Sequence, residues 1–435
     1  MAVTGLFFLR TAYLRRHQSY FPFSFLSLHT TGGLQSQRSV PAPPAVAGRG
    51  VTLKADRRKR ASAANRASSP EHLKRRTRSG VEFDCDLYRR YAAGGHVPVM
   101  FCEVLEAFRL PQLRSFVDCT LGAAGHSFTI IEAHRELELF VGLDVDPVAH
   151  EKARARIEAL LGDGSREQMK AYIHLRNFKH IKSVLVGIDE NLLNVGVDGI
   201  LMDLGISSMQ VDHFERGFSV LGDGPLDMRM DPQATLKAED ILNSWPEAEV
   251  GRIMREYGEE SNWQLLLEKI VAARKKGGLH STGEFLDLVR KSSAKCGGRQ
   301  GWIKTATRVF QALRIAVNDE LQTLENALYA CFDCLSSGGR LAVISFHSLE
   351  DRIVKKTFLE MIKEEQEEEE EDCGKDIMCL MNDQSLNETQ IWSKQKIIIG
   401  RNGTILTKRP ITPSEQEEKL NRRCRSAKLR IIQKH

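Results

Sequence analysis

The chain has 435 residues, of which 42% are hydrophobic and 27% charged, and its formal net charge is +5. This composition predicts a globular protein large enough for two domains and excludes a chain that is mainly disordered or fibrous. The nine cysteines are scattered and odd in number, which does not suit a disulfide framework.

Residues 1–80 form a basic leader, with 15 lysines and arginines against only Asp56 and Glu71. The segment 1–30 contains arginine and serine but no acidic residue, which is typical of a mitochondrial transit peptide. Its apolar stretches are too short to span a bilayer. We therefore expect a transit peptide and disordered leader on a protein of the mitochondrial matrix. A secretory signal and a plain disordered tail are the alternatives.

Five short apolar runs follow the leader and alternate with helical patterns. They cover 116–121, 139–143, 171–175, 198–203 and 340–346. Such alternation predicts an α/β fold, with a parallel sheet covered by helices on both faces. We expect this fold to begin near Tyr88.

The fourth and fifth runs are separated by far more chain than one crossover helix needs. Helical periodicity recurs between them at 245–257, 263–275, 282–292 and 308–328. We therefore predict a helical domain over 211–312, inserted into an α/β domain that is formed by 88–210 and 313–435.

The C-terminal region contains three further signals. Asn402-Gly403 between apolar runs predicts a β-hairpin, and the basic, alternating segment 426–433 predicts an edge strand. The acidic run 364–372 predicts a solvated, disordered insertion. Cys331 and Cys334 form a lone C-x-x-C pair, which favours buried thiols over a metal site, and no metal is expected.

The loop that contains Gly122 and Gly125 is the most informative segment for function. The next strand ends about 20 residues later in Asp144, whose carboxylate could accept both hydroxyls of a ribose. Without a G-x-G-x-x-G pattern, the dinucleotide site of a nicotinamide-dependent oxidoreductase is poorly supported. We predict a cleft for S-adenosylmethionine, and the alternative is an ordinary tight turn of an α/β core.

Asp203 ends the fourth predicted strand at the sheet edge where ligands bind. A carboxylate there can orient the lone pair of an amine for methyl transfer, so we predict that Asp203 is catalytic. The alternative is a helix N-cap. Ser207 of the same segment and His347, after the fifth strand, complete the predicted catalytic set. His347 would contact a substrate base, and capping or packing is its alternative role.

Two other features predict substrate contacts. The Gly-, Asp- and Arg-rich segment 215–231 predicts an ordered loop over the cleft. Basic residues at 352–356 and at 422–428 could hold phosphates, with surface solubility as the alternative.

Taken together, these segments resemble the bacterial ribosomal small-subunit cytosine N4-methyltransferase family over His96 to about Lys356, and less firmly over Arg422 to Arg430. The matching blocks are 96–100, 118–127, 203–208, 215–219, 224–231, 257–260, 307–318 and 344–355. The resemblance implies a class I (Rossmann-like) methyltransferase sheet with an inserted helical substrate-recognition domain. With the leader, it implies a mitochondrial member acting on the small-subunit (12S) rRNA of the assembling mitoribosome, with no membrane partner.

The resemblance also implies which residues contact the cofactor. Phe178 would stack near the adenine, and Asp144 would take the ribose. The chain departs from the family at two glycines, where Cys119 and Ala124 stand, and we expect the methyl at position 124 to narrow the space beside the cofactor. The predicted cofactor-binding residues are Gly122, Ala124, Gly125, His126, Asp144, Phe178, Asp203 and Gln210.

The implied substrate must be an unpaired or flipped-out cytidine, because a base-paired amino group is inaccessible. Aromatic stacking is common in RNA recognition, and Phe218 and Trp302 are equal candidates for it. The alternative function is that of a non-catalytic rRNA-binding assembly factor on a methyltransferase fold.

Overall fold

The computed structural model describes residues 77–93, 97–162, 168–293, 298–363 and 397–435. Most of the predicted leader and the acidic run 364–372 lie outside these residues. The first half of the chain alternates strands and helices. In order, these are β1 (Thr77–Arg78), α1 (Cys85–Ala93), α2 (Phe101–Ala107), β2 (Ser115–Asp118), α3 (Gly125–Ala133), β3 (Leu139–Asp144), α4 (Pro147–Leu161), β4 (Lys170–Leu175), α5 (Ile181–Ile188), α6 (Leu192–Val195) and β5 (Val197–Asp203).

The second half contains a run of helices before the remaining strands. Its elements are α7 (Ser208–Asp212), α8 (Ala238–Ser244), α9 (Glu247–Arg252), α10 (Trp263–Arg274), α11 (Thr282–Ser293), α12 (Gly298–Asn318), α13 (Glu320–Asp333), β6 (Leu335–Ser345), α14 (Ser348–Met361), β7 (Ile398–Ile399), β8 (Gly403–Ile405), β9 (Ile411–Thr412), α15 (Glu415–Leu420) and β10 (Lys428–Lys434). Within the described ranges, no helix has the length and apolar character needed to cross a bilayer.

All five predicted strands are present as β2 to β6, and they pair in parallel. The sheet has the order β1-β9-β10-β6-β5-β2-β3-β4, so the α/β prediction is confirmed. The first predicted strand ends early, at Asp118, because its side chain accepts the N–H of Thr120 and turns the chain. The predicted hairpin is also confirmed, with β7 antiparallel to β8.

Two predictions about the ends of the chain are wrong. The described fold starts inside the predicted leader, since Thr77–Arg78 pairs with Ile411–Thr412. The predicted edge strand is interior, because β10 pairs antiparallel with β6 on one side and with β8 and β9 on the other. Alternating sequence predicts a strand but does not reveal its neighbours, which are set by contacts distant in the chain.

Neighbouring residues of the central strands belong to different core layers. Phe116, Phe140 and Leu201 pack in the layer that contains residues of α2, α3 and α4. Val117 and Val141 pack in the layer that contains residues of α5, α13 and α14. Successive side chains of a strand point to opposite faces, so the sheet is buried on both.

The helices between β5 and β6 have a hydrophobic core of their own. Its buried members lie between Phe218 and Val317, which is five residues beyond the predicted end at 312. The pattern at 308–328 is not one helix, because Asp319 adopts a left-handed φ of 46° and separates α12 from α13. The chain therefore leaves the sheet after β5 and returns through α13 to β6.

Candidate active site

Three aspartates end neighbouring strands at the carboxyl edge of the sheet. Asp118 is the last residue of β2, Asp144 of β3 and Asp203 of β5. In the strand register Asp118 lies beside Gly142 and Leu201, so the other two aspartates project two residues further. Ligands of open α/β sheets bind beyond this edge, which places the three carboxylates around the expected cleft.

The turn after β2 holds Asp144 in place. Gly122, with φ of 52°, donates its N–H to Oδ2 of Asp144 at 2.7 Å, and the N–H of Asp146 donates to Oδ1 at 2.8 Å. Each carboxylate oxygen retains a lone pair, so it can still accept a ribose hydroxyl. Burial raises the pKa of Asp144.

Ala124 does not narrow the cleft, contrary to expectation. It is the N-cap of α3 in a left-handed conformation, with φ of 58°, and it is fully buried in the core layer of α2 to α4. The extra methyl therefore packs into the core. Its cost is the left-handed backbone, about 1–2 kcal/mol relative to an ordinary conformation.

Cys119, the other departure from the family, also packs away from the cleft. Its Sγ lies 3.9 Å from Sγ of Cys331, in the opposite core layer, and both are buried. The hydrogen bond with Cys331 and burial raise the pKa of Cys119 well above its ordinary value, so it stays a thiol. Cys334 is buried as well, as predicted for the C-x-x-C pair.

A proline segment closes over the loop at Gly125. A Cβ at Gly125 would lie 3.2 Å from Cγ of Pro98, so glycine permits this close approach. The next residue, His126, is buried and connects two elements. Its Nε2 lies 2.8 Å from the carbonyl oxygen of Val99, and its Nδ1 lies 3.7 Å from Oδ2 of Asp203.

Asp203 has the most perturbed carboxyl group of the site. Its side chain is 26% exposed, yet Oδ1 is buried and has no hydrogen-bond partner among the described residues. Its N–H donates to Oγ1 of Thr120 at 2.6 Å, which positions the backbone. Burial raises the pKa of Asp203 well above its ordinary value, and the charges of Asp118, Glu350 and Glu417 raise it further.

Ser207, not Asp203, is the N-cap of α7. Its Oγ accepts the N–H of Gln210 at 3.2 Å, and Oε1 of Gln210 accepts the N–H of Ser207 at 3.1 Å. The capping alternative for Asp203 is therefore not observed. The structure gives Ser207, which was predicted as catalytic, the role of a helix cap.

Asp146 is buried and makes several side-chain contacts that the sequence did not predict. Its Oδ2 accepts Nε2 of Gln210 at 3.0 Å and Nη1 of Arg216 at 2.8 Å. The other amino group of Arg216 donates to the carbonyl oxygens of Arg229 and Met230. Arg216 therefore connects both ends of the segment 215–231 with Asp146 at the start of α4. Both amide atoms of Gln210 are thus engaged within the protein, although it was predicted to contact the cofactor.

His347 is the N-cap of α14, as its alternative reading proposed. Nδ1 accepts the N–H of Glu350, and Nε2 lies 2.9 Å from Oε1 of Glu350. Burial raises the pKa of Glu350, but the hydrogen bond with His347 and the charge of Arg314 outweigh it and lower the pKa overall. Nδ1 is therefore used by the cap, whereas the buried Nε2 has no hydrogen-bond partner among the described residues despite its proximity to Glu350. The contact of His347 with a substrate base stays a prediction.

Glu320, His347 and Glu350 are close enough to share a cation. However, Arg314 donates to both carboxylate oxygens of Glu320 at 2.8 Å. The guanidinium therefore already supplies positive charge to this cluster, which connects the end of α12 with α13 and α14.

The predicted aromatic residues are in different environments. Phe178 lies beyond β4 in a 3-10 turn, partly buried, at the edge that carries Asp144. Phe218 is only 7% exposed in the helical core, and Trp302 is partly buried against the same core. Burial removes Phe218 as a candidate for stacking on a base.

The sequence contains a signal for only some of the contacts that were not predicted. Asp146 precedes Pro147 at the start of α4, and this N-cap and proline pattern could have predicted its cap, since Oδ1 accepts the N–H of Val148. Nothing local links Arg216 to Asp146 or His126 to Val99, because these partners are distant in the chain.

Comparison with known proteins gives one family. The family description "MraW methylase family" matches residues 93–435. The ribosomal RNA small subunit methyltransferase H of Heliobacterium modesticaldum is 40% identical over 339 residues, covering 78% of this chain and 98% of the relative. The proteins of the same name from Heliobacterium mobile and Brevibacillus brevis are 41% and 38% identical, with the same coverage of 78% and 98%.

Proposed function

The chain belongs to the MraW methylase family, and we propose that it methylates the exocyclic N4 of a cytidine in small-subunit rRNA. It is an S-adenosylmethionine-dependent methyltransferase, as the family and the relatives named small subunit methyltransferase H show. The proposal that cytosine N4 is the target rests on Asp203 at the carboxyl edge of the sheet. Its Oδ1 has no hydrogen-bond partner among the described residues, and its pKa is raised.

The residues at this edge fit the cofactor. Asp144 is oriented by two backbone N–H groups and keeps acceptor capacity for ribose hydroxyls. Gly122 adds no side chain to the turn that contacts Asp144, and Phe178 lies beyond β4. When bound, the sulfonium supplies an electrophilic methyl group. Cys119 and Ala124 pack in the core layers and not in the cleft. They therefore do not support the alternative of a non-catalytic assembly factor.

Asp203 matches the needs of an amino-group acceptor. The N4 lone pair of cytosine is delocalised into the ring, so the amine must be held and oriented for attack. A carboxylate that accepts a hydrogen bond from the amino group directs the lone pair and stabilises the positive charge that develops on nitrogen. The raised pKa of Asp203 makes its ionised form a better proton acceptor.

We also propose that the protein acts in the mitochondrial matrix, on the 12S rRNA of the assembling small subunit, and supports mitoribosome biogenesis. The support is the acid-free, arginine-bearing start of the leader. The full chain with a C-terminal fluorescent tag should co-localise with a matrix marker, and removal of 1–30 should abolish this. Matrix localisation without the segment 1–30 would contradict the proposal.

The enzymatic test uses the full chain, methyl-labelled S-adenosylmethionine and small-subunit rRNA, either free or within immature subunits. After nuclease digestion, mass spectrometry of the nucleosides should show labelled N4-methylcytidine. Asp203→Ala should lower its yield by about 100-fold or more, whereas Asp86→Asn on α1, which pairs with Arg89 at the surface, should not. Label in another nucleoside, or undiminished transfer in Asp203→Ala, would overturn the proposal.

A further inference from the structure

The 3-10 turn Arg422–Ser426 lies at the rim of the candidate active site. It directly precedes β10, whose Lys428 pairs with Ser345, the last residue of β6. The turn therefore sits at the same carboxyl edge as Asp203. Nη2 of Arg423 reaches Oδ1 of Asp212 on α7 at 3.0 Å, and α7 follows Asp203 in the chain.

Buried residues anchor this turn and present its arginines to solvent. Cys424 and Ala427 are at most 1% exposed and pack in the core layer of α2 to α4. The side chain of Asn421 accepts the N–H of Arg423 at 3.1 Å, which caps the turn. Arg422, Arg423 and Arg425 are exposed, so three guanidinium groups project from a well-anchored backbone.

Their charge is mostly uncompensated. Arg423 pairs with Asp212, but in the part of the chain that the structure describes Arg422 and Arg425 form no ion pair. The nearest acidic helix, α15, directs Glu415 and Glu418 to Arg78.

The other predicted basic cluster is largely neutralised. Arg352 lies 3.6 Å from Glu259, and Lys356 lies within 4 Å of Glu325 and Glu360. Lys428, a member of the predicted C-terminal cluster, pairs with Asp351. Lys355 of that cluster is exposed and has no ion pair among the described residues, whereas the turn Arg422–Ser426 has two such residues, Arg422 and Arg425. The turn therefore has the larger uncompensated positive charge.

We propose that Arg422, Arg423 and Arg425 bind RNA phosphates that flank the target nucleotide at the mouth of the cleft. This inference rests on the proposed function, since a nucleotide that enters the cleft leaves its neighbouring phosphates at the rim. The planar guanidinium group is suited to bidentate contact with phosphate oxygens. Phosphate contacts position the RNA without reading its sequence.

The test measures the affinity of the full chain for a small-subunit rRNA fragment at several salt concentrations. For a single strand, the slope of log affinity against log salt changes by about 0.7 for each phosphate contact. A triple variant, Arg422→Gln, Arg423→Gln and Arg425→Gln, should reduce the slope by about 2 and the affinity at low salt by roughly 10-fold or more. The KM for RNA should rise, with affinity for S-adenosylmethionine unchanged.

The control removes the same number of exposed arginines at the opposite edge of the sheet, by replacement with glutamine: Arg109 and Arg114, which pair with Glu106 and Glu138, and Arg135. These residues precede β2 and β3, so this variant should keep the wild-type slope within error. Equal slopes for the two triple variants would overturn the inference.

Asp212→Asn separates a phosphate contact from a purely structural ion pair. If Arg423 serves only to hold α7, Asp212→Asn should weaken RNA binding as much as the single variant Arg423→Gln does, and this outcome would count against the inference. If Arg423 binds phosphate, removing its competing carboxylate should preserve or increase affinity. Wild-type RNA binding with the expected slope but without N4-methylcytidine would refute the proposed function alone. A protein that methylates RNA but shows no slope change in the triple variant would refute this inference alone.

Discussion

His126 Nδ1 lies 3.7 Å from Oδ2 of Asp203, while Nε2 of the same ring contacts the carbonyl oxygen of Val99. Because a carbonyl oxygen only accepts hydrogen bonds, Nε2 must carry a proton. Nδ1 then faces Asp203 as a lone pair in neutral histidine, or as a second donor in the imidazolium. Whether the pair can accept a hydrogen bond from an incoming amine therefore depends on the protonation of both Asp203 and His126.

Methyl transfer should have an acidic limb at a higher pH than an ordinary aspartate would give. Burial, followed by the charge of Asp118, raises the pKa of Asp203, and only its ionised form can accept the amine hydrogen bond. Single-turnover rates at saturating cofactor and RNA should thus rise with pH through this raised pKa. Asp118→Asn should move the limb to lower pH. A limb near pH 4, the ordinary range, would contradict this account.

Asp203→Asn should stabilise the fold at neutral pH while it removes activity. The folded-state pKa lies above the unfolded value, so unfolding releases a proton between the two values and the wild type loses stability as pH rises through that window. The asparagine variant lacks this loss. Its free energy of unfolding at pH 7 should exceed that of the wild type, and the gain should vanish below about pH 4. Denaturant titrations at both pH values check this. A difference in unfolding free energy between the two proteins that does not change with pH would contradict a raised pKa of Asp203.

Breaking the contact between Arg216 and Asp146 should loosen the loop over the cleft. Arg216→Met leaves Asp146 buried with less compensation and frees the carbonyl oxygens of Arg229 and Met230, at a cost of about 2–3 kcal/mol. Affinity for S-adenosylmethionine should fall with it. The double variant with Asp146→Asn should cost less than the sum of the single variants, by roughly 1 kcal/mol or more. Strictly additive unfolding free energies would contradict a direct coupling.

Gly217→Ala should disrupt the same loop for a different reason. Gly217 has φ of 74°, and a Cβ there would lie 2.3 Å from the carbonyl oxygen of Pro225. Left-handed strain of about 1–2 kcal/mol and the backbone clash should together destabilise the protein by more than 2 kcal/mol. The control is Gly187→Ala in α5, where a Cβ meets nothing within 4 Å and should stabilise by about 0.5–1 kcal/mol. Thermal unfolding of both variants checks the signs, and a tolerated Gly217→Ala would refute the close approach.

The sequence pattern predicted the central strands because burial of each strand is reflected in its own apolar run, such as the run that forms β5. It also located Asp144 and Asp203, since a polar residue that ends an apolar strand must lie at the sheet edge. Partners distant in the chain could not be predicted in this way. The pairing of Thr77–Arg78 with Ile411–Thr412 is one example.

Side-chain roles were harder to predict than positions. Ser207 and His347 lie where the sequence placed them, but their hydrogen bonds to Gln210 and Glu350 give them capping roles. A cap and a catalytic residue at the end of a strand look alike in sequence, because both are polar groups in the same position. Only the direction of the hydrogen bonds distinguishes them.

The placement of the helical domain between β5 and β6 has a consequence for folding kinetics. Val197 pairs with Leu335, so closing this one strand pair requires the ends of a very long loop to meet, and such non-local contacts slow folding. A domain with its own core can collapse first and bring its two ends together, which reduces the loop entropy left to overcome. The sheet around the active site should therefore complete only after the inserted helices have formed.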